Sequence, residues 1–290
     1  VKHIQYDAVS YSAMRAASKA SFGMTVNAED PTSAGIIPDY DFSQAKTIVS
    51  VGADFLNSWL LPTQFAGQYA SRRNPDGEWM SKHFQFESLH SITGSNADAR
   101  GMIKPSEEAN VLAYILKGMG VSTDVSTTLD AANTKIANEA IKALKKSKAN
   151  SLVVAGSNNV AVQTLPNKLN TLLGAYTATI NLNNPINLFK SEDSDMNTFV
   201  KNVIGGKGPD AVVMFGVNPA YTLPNGAEFA EKLATIKLIP SSFFAAILLV
   251  ILINCLTSPK SSESQKTTHL LSDTFRPWFL ADPGLPKFPS

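Results

Sequence analysis

Few side chains in this 290-residue chain are of a type and spacing that does chemistry. Cys255 lies inside an apolar run, where a thiol behaves as a small buried hydrophobe and not as a nucleophile. A single cysteine excludes an intramolecular disulfide framework, and any iron–sulfur cluster or zinc site built on cysteines of this chain alone. His3, His83, His90 and His269 show neither an H-E-x-x-H pattern nor paired metal-ligand spacing. His83 and His90 flank a strand-like run, and hydrogen-bonded structural roles suit them. Glu107 and Glu108 follow Pro105-Ser106 and read as a helix start, with Ser106 as N-cap and acids in the first turn. Nothing in that spacing sets two carboxylates apart in pKa for acid–base work. Lys145, Lys146 and Lys148 read as a solvated helix end.

What remains is a set of loops that follow apolar runs: Gly52-Ala53-Asp54, Glu87-Ser88, Gly156-Ser157-Asn158-Asn159 and Gly216-Val217-Asn218-Pro219. None contains G-x-G-x-x-G or a P-loop. Their short amides and hydroxyls suit two roles, binding a nucleotide-like ligand or closing turns after strands, and spacing leaves both open.

The elements that must position these loops are read from periodicity. Residues 47–52 (TIVSVG), 83–87 (HFQFE), 151–156 (SLVVAG) and 210–216 (DAVVMFG) are short runs rich in β-branched or aromatic residues. Three are nearly continuous apolar stretches ending in Gly, as parallel strands buried on both faces are. Residues 109–119 place Val111, Leu112, Ile115 and Leu116 on one helical face. Residues 130–148 repeat apolar positions at Ile136, Ala140, Ile141 and Leu144 and end in lysines that suit the helix dipole. A helix bearing Met14, Ala17 and Phe22 precedes Gly23 as a stop. Strands alternating with helices predict an α/β fold of two Rossmann-like, doubly wound modules with mainly parallel sheets. The expected divisions are an N-terminal helical segment 1–32, modules at 33–120 and 121–238, and a tail at 239–290.

Charge and composition narrow the class. With 25 basic against 24 acidic side chains there is no basic footprint, so nucleic acid is not an expected partner. At 44% hydrophobic the chain has material for real cores and is neither disordered nor collagen-like. No leader pattern of a charged region followed by an apolar one opens the sequence. After Ile239 the character changes to an apolar run at 243–253, a Ser/Lys/Thr stretch and a Pro-rich end. That run suits a buried segment or a short membrane anchor. The abrupt switch also suits a reading-frame error or a truncated gene.

Residues 87–111 (ESLHSITGSNADARGMIKPSEEANV) resemble the molybdopterin oxidoreductase superfamily. There an acidic residue ends a strand, spaced threonines follow, and an Ala-Asp pair leads to an I-R-P-G-T-D turn into a helix. Glu87 takes the acidic position, Ser91 and Thr93 the hydroxyl positions, Ala97-Asp98 the pair, and residues 103–108 the turn that includes Pro105. Gly216-Val217-Asn218-Pro219 is similar to that superfamily's Gly-x-Asn-Pro loop. More narrowly, YDAVSYSAM, IVSVGADFLNSW, FESLHSITGSNADAR, IKPSE, LVVAGSNN and FGVNPAYTLP are similar, in order, to the iron–sulfur subunit of alternative complex III. That bacterial complex is a quinol:cytochrome c oxidoreductase. The resemblance spans residues 1–238 and a middle part of the family protein.

The resemblance implies a molybdopterin oxidoreductase-like domain in a membrane-bound electron-transfer complex of the respiratory chain, on the periplasmic side of the inner membrane. Its implied partners are multihaem cytochrome c and integral quinol-binding subunits. The implied iron–sulfur clusters belong to a cysteine-rich part of the family protein that this chain does not include. Implied vestigial cofactor-pocket positions are Gly52, Asp54, Glu87, Thr93, Asp98, Pro105, Gly156, Ser157, Asn158, Gly216 and Asn218. One departure matters: Ser106-Glu107-Glu108 replaces the Gly-Thr-Asp of the turn, adding bulk and negative charge where a dinucleotide would lie. A domain without molybdenum is therefore expected. The alternative is a fragment that binds molybdopterin guanine dinucleotide.

Overall fold

The computed structural model describes residues 2–27, 29–30 and 33–236. Three of the four apolar runs become strands there because each finds a neighbour on both sides or a cover for its free edge. Elements follow in the order α1 (Ser12–Phe22), β1 (Asp39–Tyr40), β2 (Thr47–Val51), α2 (Pro62–Ala70), β3 (Lys82–Glu87), α3 (Ile92–Ser95), β4 (Ala99–Met102), α4 (Glu108–Gly118), α5 (Ala131–Ser147), β5 (Ser151–Ala155), α6 (Val160–Leu173), β6 (Ile180–Asn181), α7 (Asp193–Ile204), α8 (Pro219–Thr222) and α9 (Gly226–Leu233). The chain divides into two units, Val1–Asn197 and Thr198–Ser290.

In the first unit β2, β3, β4 and β5 form a parallel sheet in the order β4-β3-β2-β5. The protein is thus α/β, with a four-stranded sheet compatible with a Rossmann-like fold. Every residue of β2 and β5 is buried, as their uninterrupted apolar character requires. Val49, Val51, Phe84, Phe86, Val153 and Ala155 face α4, α5 and α6. Ile48, Leu152 and Val154 face the other way, onto Phe42, Phe55, Phe65 and Tyr69. β1 and β6 pair separately and antiparallel.

Among the described residues the outer edge of β5 has no strand beside it, and side chains take four of its outward backbone groups. Thr179 Oγ1 donates to Ser151 O at 2.7 Å and Gln163 Nε2 donates to Ala155 O at 2.9 Å. Asn170 does both: Oδ1 accepts from Val153 N–H at 3.0 Å and Nδ2 donates to Val153 O at 2.7 Å. A buried strand edge whose backbone groups are taken by side chains offers fewer of them to another strand.

Several expectations need correction. β5, expected in a second module, pairs along its length with β2, so the division at residues 120 and 121 runs through one sheet. Gly118 ends α4 and Gly120 follows it, within the crossover that carries α4 and α5 from β4 to β5. Residues 210–216 form no named strand among the described residues; Ala211 and Met214 are single bridge positions, and Val213 and Phe215 are exposed. An apolar run needs a covering neighbour to become a strand. Ser106 is not the cap of α4. A 3-10 turn at Pro105–Glu107 precedes the helix, and Glu107 Oε2 accepts from the Lys104 N–H at 2.9 Å. The helix expected before Gly23 is present, and Gly23 closes it by donating its N–H to Lys19 O. The apolar run at 243–253, Cys255, His269 and the rest of the expected tail lie outside the described residues.

The second unit, over its described residues, packs Phe199 against Phe229, with ring centroids 5.9 Å apart, and brings α8 against α9.

Candidate functional site

In the sheet order β4-β3-β2-β5 the direction of strand addition reverses between β2 and β5. Open α/β sheets hold ligands at such a reversal, outside the carboxyl ends of the strands. Gly52 and Gly156 end β2 and β5 there, and the two turns touch: a side-chain carbon on Gly156 would overlap the Gly52 carbonyl. Gly52 has φ +68, which a residue with Cβ rarely adopts. The space over it is already taken. A carbon added to Gly52 would stand 2.6 Å from Glu108 Oε1. Glu108, the first residue of α4, thus lays its carboxylate over the turn where a ligand phosphate would lie. Burial raises its pKa above the usual carboxylate range, an effect that a hydrogen bond with Ser157 only partly offsets.

The loops after β2 and β3 are clasped together. Asp54 Oδ1 accepts from Thr93 N–H at 3.2 Å and from Thr93 Oγ1 at 2.6 Å. Thr93 Oγ1 in turn accepts from Leu56 N–H at 3.0 Å. Glu87, buried at the end of β3, accepts from Ser91 N–H at 3.1 Å, Ser91 Oγ at 2.5 Å, Gln85 Nε2 at 3.1 Å and Arg100 Nε at 2.6 Å. These donors outweigh its burial and hold its pKa below the usual range. Asn158 bridges elsewhere: Oδ1 accepts from Ala13 N–H at 3.0 Å, and Nδ2 donates to Asp193 Oδ2 at 3.1 Å.

Of the residues expected at a pocket, Gly52, Asp54, Glu87, Thr93, Gly156, Ser157 and Asn158 lie at or just past the carboxyl ends of strands. Pro105 follows β4 at the same end. Asp98 does not join them. It precedes β4 opposite the start of β3, where its carboxylate accepts from His83 N–H at 2.7 Å and pairs with Arg73 through two bonds of 2.8 and 3.0 Å. Gly216 and Asn218 belong to the second unit, where Asn218 Oδ1 accepts from Tyr221 N–H at the start of α8.

Glu108 is the residue that sequence reasoning placed only as a helix-start acid. Its bearing on Gly52 depends on sheet order, which no local pattern carries. The buried face of β3 was more legible, since His83, Gln85 and Glu87 alternate with Phe84 and Phe86. His83 has the structural role expected of it, with Nδ1 3.2 Å from Tyr69 Oη and Nε2 3.3 Å from Gln85 Oε1. A separate open polar cavity of about 420 Å³ is lined by residues including His3, Arg15, Lys190 and Glu192, and none of the expected pocket residues reaches it. Among the described residues no three His, Cys, Asp or Glu side chains are grouped as a metal site, and no helix is long and apolar enough to cross a membrane.

The raised pKa of Glu108 has a measurable sign. Folding disfavours its ionised form, so its contribution to stability falls as pH rises through the carboxylate range. Glu108→Gln keeps a hydrogen-bonding partner for Ser157 and removes the buried charge. Its thermal midpoint is expected to exceed that of the parent at pH 7 and to match it near pH 4; a lower midpoint at pH 7 would count against the geometry.

No protein-family model matches the sequence, and no curated protein matches it.

Proposed function

We propose that this chain is a structural and interaction domain of a membrane-bound quinol:cytochrome c oxidoreductase of the alternative complex III type, a molybdopterin oxidoreductase-like domain working without molybdenum. It would hold multihaem cytochrome c and integral quinol-binding subunits together on the periplasmic side of the membrane. On this reading the sheet of β2, β3, β4 and β5 is one Rossmann-like module of that superfamily's fold.

The observation that carries the reading is the Glu108 carboxylate over Gly52. Molybdopterin guanine dinucleotide does not fit the residues present. Its pyrophosphate would meet a carboxylate and two turns pressed together, where a cradle would offer free amides and open space. The polar side chains around the crevice are also committed: Asp54, Thr93, Glu87 and Asn158 each bond within the chain. Near the same ends of β3 and β4, Leu89, Ile92 and Met102 are exposed, which suits contact with a partner protein more than ligand capture.

Affinity purification of the tagged chain from detergent-solubilised membranes of its native host tests this. Haem-containing and integral membrane subunits are expected to elute with it, without pterin fluorescence after oxidative release. Elution of the chain alone, or one pterin per chain, would overturn the reading.

A further inference from the structure

Tyr69, His83, Gln85 and Glu87 make a continuous polar chain on one buried face of β3, and both of its ends are acceptors. At one end Tyr69 Oη donates to the backbone carbonyl of Asn96 at 2.9 Å. At the other lies the Glu87 carboxylate, which Arg100 and Ser91 keep ionised. Between them are contacts of 3.2 Å from Tyr69 to His83 Nδ1, 3.3 Å from His83 Nε2 to Gln85 Oε1, and 3.1 Å from Gln85 Nε2 to Glu87 Oε2. The chain therefore has four contacts. A hydroxyl, a neutral imidazole and a primary amide each supply one hydrogen along it and accept one, so together they fill three. Direction of donation has to reverse once between two acceptor ends, and among these groups only an imidazolium donates from both sides.

We propose that this chain is a built-in binding site for one proton, and that its two acceptor ends decide which ring nitrogen of His83 carries hydrogen. The proposal goes beyond membership of any complex and does not depend on it. With Glu87 ionised and His83 neutral, one contact lacks a hydrogen; a proton taken up by His83 completes all four. Burial opposes that uptake, so it belongs to acidic pH. The groups that face His83 are Tyr69 in α2, Arg73 after it, Asp98 before β4, and Gln85 and Glu87 on its own strand. Arg73 is paired with Asp98 and Arg100 with Glu87, so neither ion pair supplies an unbalanced charge. Tyr69 is held in its protonated form, its pKa pushed up to about 12.

Long-range proton–nitrogen correlation spectra of the ¹⁵N-labelled full chain read the tautomer directly, with His83 assigned by its loss in His83→Gln. Tyr69→Phe removes the oxygen that faces Nδ1 and cuts the ring off from the Asn96 end, so the neutral ring is expected to carry its hydrogen on Nε2, toward Gln85. Glu87→Gln lets that end donate to Gln85, so donation runs one way along the chain to Asn96 O and the hydrogen is expected on Nδ1. The wild-type ring is expected to become doubly protonated on acidification while the chain stays folded. In Tyr69→Phe that step is expected about one pH unit lower, because the imidazolium loses a charged hydrogen bond. The same tautomer in both variants would overturn the proposal. Where Glu87→Gln does not fold, Tyr69→Phe decides against the wild type: hydrogen on Nδ1, or an unshifted titration, overturns it.

Discussion

Asn170→Ala is expected to lower the stability of the α/β unit by about 3 kcal/mol, the cost of two buried backbone groups left without partners. Asn170 is 2% exposed, and its amide is the only described partner of the outward N–H and C=O of Val153. The amide copies what a further strand would offer at that position, an acceptor and a donor side by side. Alanine removes both groups at a buried position, next in sequence to the core residue Leu169. Urea unfolding at pH 7 measures the change. Asn167→Ala, three residues earlier on α6 at a half-buried position whose amide bonds Ser21 Oγ near the surface, is the control and is expected to stay within about 0.5 kcal/mol of the parent. A second consequence separates edge closure from ordinary packing. With Val153 unpaired, β5 becomes an edge that another chain can extend, so light scattering is expected to show association in Asn170→Ala before global unfolding. Equal stability of Asn170→Ala and Asn167→Ala would show that β5 is closed by other means.

This edge shows what was legible in the sequence. The runs at 47–52 and 151–156 announce strands because two buried faces need uninterrupted apolar side chains, 83–87 is marked by its aromatic residues, and the helices of α4 and α5 follow from their stripes. The sealing of β5 was not legible. Gln163, Asn170 and Thr179 look like ordinary polar positions of a helix and a loop, and their meaning appears only when β5 is placed at the end of the sheet. Residues 210–216 fail for the converse reason: their pattern is right, yet among the described residues nothing pairs along them as β2 pairs along β5. The site divides in the same way. Glycines after apolar runs mark where the backbone turns, so the positions of Gly52 and Gly156 just past β2 and β5 were legible. Glu108 was read as a helix-start acid because its second role depends on α4 beginning above the turn of a strand more than fifty residues earlier. Asp98 was drawn into the pocket by its motif, whereas the register of β3 against β4 sets it at the opposite end of the sheet.

Between pH 6.5 and 4 the folded chain is expected to lose about 3 kcal/mol of stability through His83 alone. The ring is wholly buried, and desolvation pushes its pKa down from 6.5 to about 4, although Gln85, Asp98 and Glu87 act in the opposite direction. An unfolded chain binds a proton at this ring once the pH falls below about 6.5, whereas the folded chain does not until about 4. The contribution is therefore fully present above 6.5, is lost on the way down, and stops changing below 4. Neighbouring groups titrate in separable ways. Glu87 and Asp98 have lowered pKa values, so their stabilisation is lost at lower pH than that of His83. Glu108, Asp39 and Glu192 have raised values and change stability with the opposite sign. Urea midpoints at pH 7, 5.5 and 4 for the parent and for His83→Gln isolate the ring, because glutamine spans part of the same polar chain and does not titrate. The variant is expected to start lower at pH 7 and to show a flatter profile down to pH 4. Parallel profiles would place the acid sensitivity in the carboxylates, and His83 would then be a group that folding leaves free to take its proton.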